Sequence, residues 1–408
     1  MRVMIVGGGF IGGHLAGRLR DEGCAVTVVG RHHGNITCDL ARDDARTWAE
    51  RLIGYDALVN CAGLLAARAD YPGVHDRGAR ALFDGAAQAG VARIIQLSAL
   101  GAADGTTAYH RTKRAADDHL AGLGDRTGWA ILRPSLVVGR GGASTALFSA
   151  LATLPVTPDV GGGPVQPIAI DDLVEAIWRL LRRPLPMGLL LDAVGPEPMT
   201  VLALADTLRQ WLGLGPAPRL PVPRWILRAA AALGFGPVTG ESLTMLEAGN
   251  VAPVAPFVDM LGFAPQPVAQ ALARHPASRA DRTAARLGAM EPALRGLLVL
   301  VWLAGGLVPL LLIPMAENIR LLARLGLSGG AATGAVWAGA MIDLALGLAL
   351  VLRWRGAALA GVAVMAAYTA ILTAIAPELW ADPFGALVKN AAVLGLALTV
   401  HAMENARA

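Results

Sequence analysis

A tyrosine and a lysine stand four residues apart at Tyr109 and Lys113. Residues with this spacing lie on one face of a helix, so the sequence predicts the lysine ammonium beside the phenol. A nearby positive charge favours the phenolate and lowers the pKa of the tyrosine. Tyr109 is therefore a candidate proton donor or acceptor for a carbonyl or an alcohol. Ser98, at the end of a predicted strand, is a candidate to hold the substrate oxygen.

The choice of lysine at this position is informative because the chain otherwise uses arginine. Lys113 and Lys389 are the two lysines among 35 basic residues. Arginine differs from lysine in shape and does not easily give up its charge. Three interpretations stay open: active redox chemistry, holding of a cofactor ribose without turnover, and an incidental helix pair.

A glycine-rich turn follows the first predicted strand, as Gly7-x-Gly9-x-x-Gly12. In this motif the first glycine makes the tight turn, the second lets backbone approach a pyrophosphate, and the third packs the helix on the sheet. The free N–H groups at the helix start, around Phe10 and Ile11, would face the phosphates. The strand–turn–helix context is the one this motif requires, so we predict dinucleotide binding.

Cofactor selectivity depends on the end of the second strand. NAD-selective sites usually place Asp or Glu there to bind the ribose 2′-hydroxyl. This chain instead has Arg31, which is suited to a 2′-phosphate or to stacking on adenine. We therefore expect NADP(H) rather than NAD(H), the alternative being a solvated surface arginine.

Further candidate cofactor contacts lie at the ends of the next strands. Asp39 and Leu40 stand where a third strand should end, at a position that can contact adenine. Asn60, Ala62 and Gly63 belong to a fourth strand that runs into a turn of small residues, which can pass under the pyrophosphate and ribose.

The alternation of these strands with helical patterns predicts an α/β fold, a Rossmann-type doubly wound parallel sheet. We assign residues 1–195 to this NADP-binding domain. The proline-rich stretch Pro184–Pro198 is expected to mark a loosening of the compact fold. Residues 196–290 are expected to form a small helical substrate lobe and linker.

The motifs quoted above, together with Leu132–Gly139, resemble the short-chain dehydrogenase/reductase superfamily. The similarity is greatest to its atypical group, which includes the nucleotide-binding accessory subunit of respiratory complex I, and it extends to about residue 275. The resemblance implies a Rossmann fold and roles for Tyr109, Lys113 and Ser98 in catalysis. Ser98 lies closer to Tyr109 than in most catalytic members.

The composition, 54% hydrophobic and 16% charged, is too apolar for an ordinary soluble enzyme. The excess lies in four apolar runs, Ala293–Pro314, Thr333–Leu352, Gly356–Ala376 and Phe384–Val400. Each is close to the ~20 residues that cross a bilayer as a helix. Residues 291–408 are therefore expected to form a four-helix transmembrane bundle, and they resemble the DoxX-like membrane family.

Charged residues around these runs predict the topology. Arginines before the first run and between the second and third are expected to face the cytoplasm; they are Arg274, Arg279, Arg282, Arg286, Arg295, Arg353 and Arg355. No signal peptide is recognised before the first strand, so we expect a multi-pass protein of a bacterial-type inner membrane with a cytoplasmic nucleotide domain.

Two charged residues fall inside the apolar runs, Asp343 and Lys389. Such residues usually face the bundle interior or a partner. One interpretation is an Asp343–Lys389 pair; the other is that Lys389 extends to the membrane surface.

These observations give one leading hypothesis and two alternatives. The first is a membrane-anchored NADP(H)-dependent oxidoreductase acting on a carbonyl or alcohol, where a lipid-soluble substrate would explain the anchor. The second is a non-catalytic nucleotide-binding module of a membrane complex; the third and less favoured is a sugar-nucleotide epimerase or dehydratase. The three cysteines have no metal-ligand spacing and no dense basic run is present, so neither a metal nor a nucleic-acid partner is expected.

Overall fold

The computed structural model describes residues 1–31, 34–64, 70–124, 127–183, 188–232, 239–383 and 385–405. The chain divides into two compact units, Met1–Arg286 and Leu287–Ala408.

The first unit is built on a parallel sheet whose seven strands run in the order β10-β6-β5-β4-β1-β2-β3. Two small pairs, β7–β9 and β11–β8, lie beside it. The strands are β1 (Arg2–Val6), β2 (Ala25–Gly30), β3 (Ile36–Thr37), β4 (Ala57–Asn60), β5 (Arg93–Leu97), β6 (Gly128–Pro134), β7 (Val137–Val138), β8 (Thr157–Asp159), β9 (Ile168–Ala169), β10 (Leu189–Ala193) and β11 (Arg219–Pro221).

Helices connect these strands. They are α1 (Phe10–Asp21), α2 (Ala45–Leu52), α3 (Gly78–Gln88), α4 (Ala108–Ala121), α5 (Ala143–Ala152), α6 (Ile170–Arg182), α7 (Val201–Trp211), α8 (Arg224–Ala232), α9 (Gly240–Ala248), α10 (Ala255–Leu261) and α11 (Val268–Arg274). A π-helical turn, Pro72–Arg77, precedes α3.

The first strand explains why the sheet is covered on both faces. Val3 and Ile5 lie in a hydrophobic core with α1 and α6, whereas Met4 and Val6 lie in a second core with α2, α3 and α4. Successive strand residues point to opposite faces, so an uninterrupted apolar strand requires two cores. The predicted doubly wound α/β fold is confirmed.

The proline-rich stretch holds more structure than expected. Its residues Leu189–Ala193 form β10, which pairs with β6 at the edge of the main sheet. Prolines on either side are compatible with an edge strand, because an edge leaves one side of the backbone unpaired. The predicted loosening of the fold in this stretch is therefore wrong; residues 184–187 lie outside the described residues.

The second unit is helical. Its helices, together with the one that leads into it, are α12 (Arg279–Leu311), α13 (Met315–Leu322), α14 (Gly329–Val351), α15 (Ala357–Ile375) and α16 (Val388–Asn405), with short 3-10 turns at Ala323–Leu325 and Pro377–Ala381. Glycines allow close packing: a Cβ on Gly306 would contact the carbonyl of Ala340 at 2.7 Å, and one on Gly361 would lie 3.0 Å from the Trp302 ring.

By length and composition, three of the described helices could cross a membrane: α12, α14 and α15. The fourth predicted run corresponds to α16, which begins at Val388 rather than Phe384, the latter being outside the described residues. This helix contains Lys389 and Glu404 and is not among the candidate spans. The predicted count of four spanning helices is therefore not confirmed.

The acid inside the second span has a different partner from the one considered above. The hydroxyl of Tyr368 donates to Asp343 Oδ1 at 3.1 Å, and the carboxylate lies against Gly305 of α12. The Lys389 side chain is exposed. The alternative of an Asp343–Lys389 pair is therefore wrong, and a helix-to-helix hydrogen bond takes its place.

Candidate functional site

The glycine turn has the geometry of a phosphate-binding loop. Gly7 has φ +101°, and a Cβ there would lie 2.6 Å from the Ala62 nitrogen. A Cβ on Gly12 would lie 1.9 Å from the Gly7 carbonyl oxygen, whereas one on Gly9 would meet nothing within 4 Å. Two of the glycines are thus required by the fold itself, and the open side at Gly9 is where a ligand can approach.

Helix α1 begins directly after this turn. Its N-cap is Gly9, and no side chain caps the helix. The N–H groups of the first turn, on Phe10, Ile11 and Gly12, are left without partners within the helix. The Phe10 ring packs near Gly139 and Gly142, where a Cβ would lie 3.2 Å and 2.9 Å from ring carbons. The residues predicted to bind phosphate therefore sit together, with donors that suit an anion.

The turn after β4 lies directly against the glycine turn. Asn60 is buried and donates to Gln96 Oε1 at 2.8 Å, and its own oxygen accepts from the N–H of Ala62 at 3.1 Å. A Cβ on Gly63 would lie 3.5 Å from Lys113 Nζ. Small residues here thus bring the lysine ammonium close to the backbone of the turn.

Lys113 is buried at the carboxyl edge of the sheet. Its ammonium donates to the carbonyls of Ala62 at 3.2 Å and Leu97 at 3.0 Å, at the ends of β4 and β5. Burial lowers its pKa to about 8. The lysine therefore anchors α4 to two strand ends.

Tyr109 lies on α4, one turn before Lys113, as predicted. Its ring is edge-on to Tyr71 and His75, with centroids 5.9 Å and 5.4 Å away. Burial, with smaller contributions from Tyr71 and Asp117, raises the pKa of Tyr109 to about 12. The prediction that Lys113 lowers this pKa is wrong for this structure, because the ammonium binds two carbonyls and the phenol lies among aromatic rings. Tyr109 therefore keeps its proton at neutral pH.

The hydroxyl of Ser98 is engaged elsewhere. It donates to Asp117 Oδ2 at 2.7 Å, and Arg133 Nε donates to the same oxygen at 3.3 Å. Both Ser98 and Asp117 are buried, and burial raises the pKa of Asp117. The structure thus places Ser98 at the predicted strand end but holds its hydroxyl on α4.

His75 is a site residue that the sequence analysis missed. It lies in the π-helical turn before α3 and is 2% exposed. The N–H of Leu64 donates to its Nε2 at 2.8 Å, and its Nδ1 lies 3.4 Å from the Thr112 hydroxyl. Its ring stacks on Tyr71. His75 therefore joins the loop after Gly63 to the helix that carries Tyr109.

The predicted adenine-side residues are more exposed. Arg31 follows β2 directly and is exposed. Strand β3 ends at Thr37, so Asp39 and Leu40 lie in the loop beyond it. Asp39 is half-buried, accepts from the N–H of Ala41 and pairs with Arg42, while Leu40 is buried in the core. Of these residues, Arg31 keeps a side chain open to solvent at the strand end.

Two family models match the chain. Residues 3–187 match the NAD dependent epimerase/dehydratase family, and residues 299–398 match the DoxX-like family. No curated protein matches.

Solved structures resemble the first unit. MoeE5 in complex with UDP-glucuronic acid and NAD is 20% identical, with a TM-score of 0.55 over 67% of this chain and 97% of that one. UDP-glucuronic acid 4-epimerase from Bacillus cereus is 16% identical, with a TM-score of 0.54 over 67% and 97%. The UDP-glucose 4-epimerase of Thermus thermophilus is 20% identical, with a TM-score of 0.51 over 67% and 96%. At these identities the likeness concerns the fold.

The sheet order, the glycine turn and the Tyr109–Lys113 helix agree with the epimerase/dehydratase match. The apolar helices agree with the DoxX-like match. The chain thus joins a domain of the NAD dependent epimerase/dehydratase family, which is short-chain dehydrogenase/reductase-like, to a C-terminal domain of the DoxX-like family.

Proposed function

We propose that this chain is a membrane-anchored oxidoreductase that uses a nicotinamide dinucleotide to interconvert a carbonyl and an alcohol. One observation carries the proposal: the glycine turn contacts the turn after β4, and that turn contacts Lys113, all at one edge of the sheet. Gly7 abuts Ala62, and Ala62 accepts from Lys113. Cofactors in open α/β sheets bind at this carboxyl edge.

The residues present fit such a cofactor. The N–H groups of Phe10, Ile11 and Gly12 would bind its pyrophosphate, and Lys113 would donate to a ribose hydroxyl. A bound nicotinamide supplies or accepts the hydride. Tyr109, protonated at neutral pH, would donate a proton to the carbonyl oxygen of the substrate in the direction of reduction.

The role of Tyr109 is tested by Tyr109→Phe in the full chain purified in nanodiscs. We expect a 10²–10⁴-fold lower turnover, the usual range for loss of a general acid, with nucleotide affinity unchanged. Tyr55→Phe is the matched control, since its hydroxyl donates to Thr27 Oγ1, on β2 of the same sheet. Turnover of Tyr109→Phe equal to that of Tyr55→Phe would contradict the assignment.

We further propose that NADP(H) is preferred, because the exposed Arg31 stands where an acid would select NAD(H). The solved neighbours named above bind NAD, so this preference would distinguish the chain from them. In Arg31→Asp we expect NADPH affinity to fall at least tenfold while NADH affinity holds or rises, measured by nucleotide fluorescence titration. An unchanged NADPH/NADH ratio would remove the basis for this preference.

Two substrate classes can be compared directly. A lipid-soluble carbonyl compound is favoured by the fusion to a domain with apolar helices. A nucleotide sugar is favoured by the family match and by the ligands of MoeE5 and the Bacillus cereus enzyme. A panel of both classes distinguishes them. A carbonyl compound would take up deuterium from labelled NADPH or NADH, whereas a nucleotide sugar deuterated at its alcohol carbons would pass deuterium to NADP⁺ or NAD⁺.

The engagement of Ser98 supports a second candidate function. Because its hydroxyl binds Asp117, no described serine hydroxyl at the end of β5 is left for a substrate. A non-catalytic nucleotide-binding module that stabilises a membrane complex would need no such hydroxyl. Nucleotide that survives purification, co-purifying membrane proteins and no turnover on either panel would favour this alternative.

The arrangement of the whole protein completes the proposal. Residues 1–195 would bind the nucleotide, 196–290 would shape the substrate pocket, and 291–408 would span the membrane. The protein would lie in a bacterial-type inner membrane with the nucleotide domain in the cytoplasm, where NADP(H) is found. Protease protection in vesicles of known orientation tests this placement.

A further inference from the structure

Helix α8 presents an apolar strip to solvent. Trp225 is 70% exposed and Ile226 40%, and Leu220, just before the helix, is 57% exposed. None of the nine residues of α8 is buried. Because none of its residues is buried, α8 gains little stability from contacts described within the protein. A helix of this length is marginal in water without such contacts, so a further contact would stabilise it.

The inner side of α8 packs against α9. Leu227 is half-buried and faces Leu243 and Leu246 of α9. At 100° per residue, Trp225 and Ala229 lie about 160° from Leu227, nearly opposite to it, and Ile226 lies about 100° from it on one flank. The exposed strip is therefore a separate surface and not the unfinished side of the contact with α9.

Basic residues flank this strip. Arg224 and Arg228 are exposed on α8, and Arg219 precedes it on β11. Arg219 pairs with Asp206 but its side chain stays 63% exposed, and Arg224 is only within 3.9 Å of Glu247. Tryptophan with arginine beside an apolar strip is the pattern of helices that lie in the headgroup region of a bilayer.

We propose that α8 lies on the surface of an anionic lipid bilayer, with Trp225 and Ile226 among the upper acyl chains and Arg224 and Arg228 at the lipid phosphates. Charge complementarity favours this occupant, since juxtamembrane arginines are attracted to anionic headgroups. The same chain carries helices that could cross a membrane, so a bilayer is its expected surroundings. The assignment holds whether or not the nucleotide site turns over.

The test uses the full chain at one copy per nanodisc, with acyl chains brominated near the headgroup. Subtracting the fluorescence of Trp225→Phe from that of the wild type isolates Trp225, and we expect strong quenching of this component in discs containing anionic lipid. Arg224→Gln/Arg228→Gln should lower the equilibrium constant for docking about 25-fold, at about fivefold for each arginine, and so reduce the quenching. Arg42→Gln/Arg46→Gln is the matched control, because these exposed arginines lie elsewhere on the same unit.

Three results would overturn the proposal. The first is an unquenched Trp225 component in anionic discs. The second is quenching that is unchanged by Arg224→Gln/Arg228→Gln, which would remove the role of the lipid phosphates. The third is shielding of Trp225 that develops only in discs loaded with two copies, which would make the strip a contact between copies of this chain.

Discussion

His75 organises the candidate site while remaining neutral. Because Leu64 N–H donates to Nε2, the ring proton resides on Nδ1, towards Thr112. Burial and the Lys113 ammonium lower the pKa of His75 to about 3. The ring is therefore an uncharged acceptor throughout the physiological range, and its role is to position α4 and the loop after β4.

This lowered pKa makes stability depend on pH. The folded His75 resists protonation, whereas an unfolded histidine takes up a proton near pH 6.5. Stability is therefore lost as the pH falls below about 6.5, by up to about 1.4 kcal/mol per unit from this one group. We expect the thermal midpoint of the nucleotide-binding unit to fall between pH 6.5 and 4.5, and the fall to be smaller in His75→Asn. Identical pH slopes in the two proteins would contradict this role.

At the residue scale, helical spacing carried much of the prediction. It placed Tyr109 and Lys113 on one face of α4, and the same spacing applied four residues further would have found Asp117. His75 could not be found in this way, since it meets Tyr109 through the packing of two distant elements. The predicted direction of the Tyr109 pKa shift was wrong because spacing does not reveal which backbone carbonyls accept hydrogen bonds from the lysine.

At the scale of the elements, the glycines of the glycine turn are needed for different reasons, some for folding and one for ligand binding. Gly7 and Gly12 have no room for a side chain, because their added Cβ atoms would meet backbone. Gly9 and Gly13 have open space, but only Gly9 lies in the turn that faces the predicted pyrophosphate. Substitution by alanine should therefore affect these positions in different ways.

Three alanine variants test this distinction. We expect Gly12→Ala to lower the folded yield and the thermal midpoint, since its Cβ would lie 1.9 Å from a carbonyl oxygen. Gly9→Ala should fold normally yet bind the nucleotide at least tenfold more weakly, as the backbone must approach the pyrophosphate there. Gly13→Ala is the control within the same helix. It should bind the nucleotide normally, and its free energy of unfolding should rise by up to about 1 kcal/mol because alanine favours a helix over glycine. Normal binding by Gly9→Ala would contradict the placement of the phosphates.

Strand β10 shows what local patterns could not predict. Its five residues are flanked by prolines, and a short apolar run in such surroundings has no distinctive period. It becomes a strand because β6 offers it an unpaired edge. The longer strands β1, β4 and β5 were predictable because uninterrupted apolar runs next to turn residues require burial on both faces.

At the scale of the whole molecule, charges are built into the second unit as a network. Arg295 donates to Glu291 at 2.8 Å and to Glu404 at 3.0 Å, and Arg353 lies 3.8 Å from Glu291. Arg295 was predicted to lie at the cytoplasmic flank of the first apolar run, and its side chain is 9% exposed. The network ties α12 to α16 and to the segment between α14 and α15.

Removal of the central arginine should be costly. Arg295→Met removes the Arg295 contact of Glu404 and one of the two arginine contacts of the buried Glu291. Loss of a buried ion-pair partner typically costs about 3–5 kcal/mol. Arg324→Gln is the control, because its pair with Glu378 is half exposed and such pairs contribute about 0–1 kcal/mol. Thermal unfolding of the full chain in detergent measures both.

A further variant identifies the cause of that cost. Glu291→Gln/Arg295→Met/Glu404→Gln removes the buried charges together and should recover much of the loss. Equal midpoints for Arg295→Met and Arg324→Gln would contradict the network's importance. The apolar runs in the sequence could not reveal this charge network, because a hydropathy average over neighbouring residues does not show which residues of different helices are in contact.

The boundary at Arg286 also fixes an order of events during synthesis. Strand β10 completes the main sheet at Ala193, well before the first span begins at Arg279. At about 5–20 residues per second, a ribosome needs roughly 4 to 17 s to make the intervening chain. The nucleotide-binding sheet therefore has time to assemble in water before any candidate membrane span emerges. The sheet, which folds in water, and the spans, which insert into lipid, then do not compete as nascent chains.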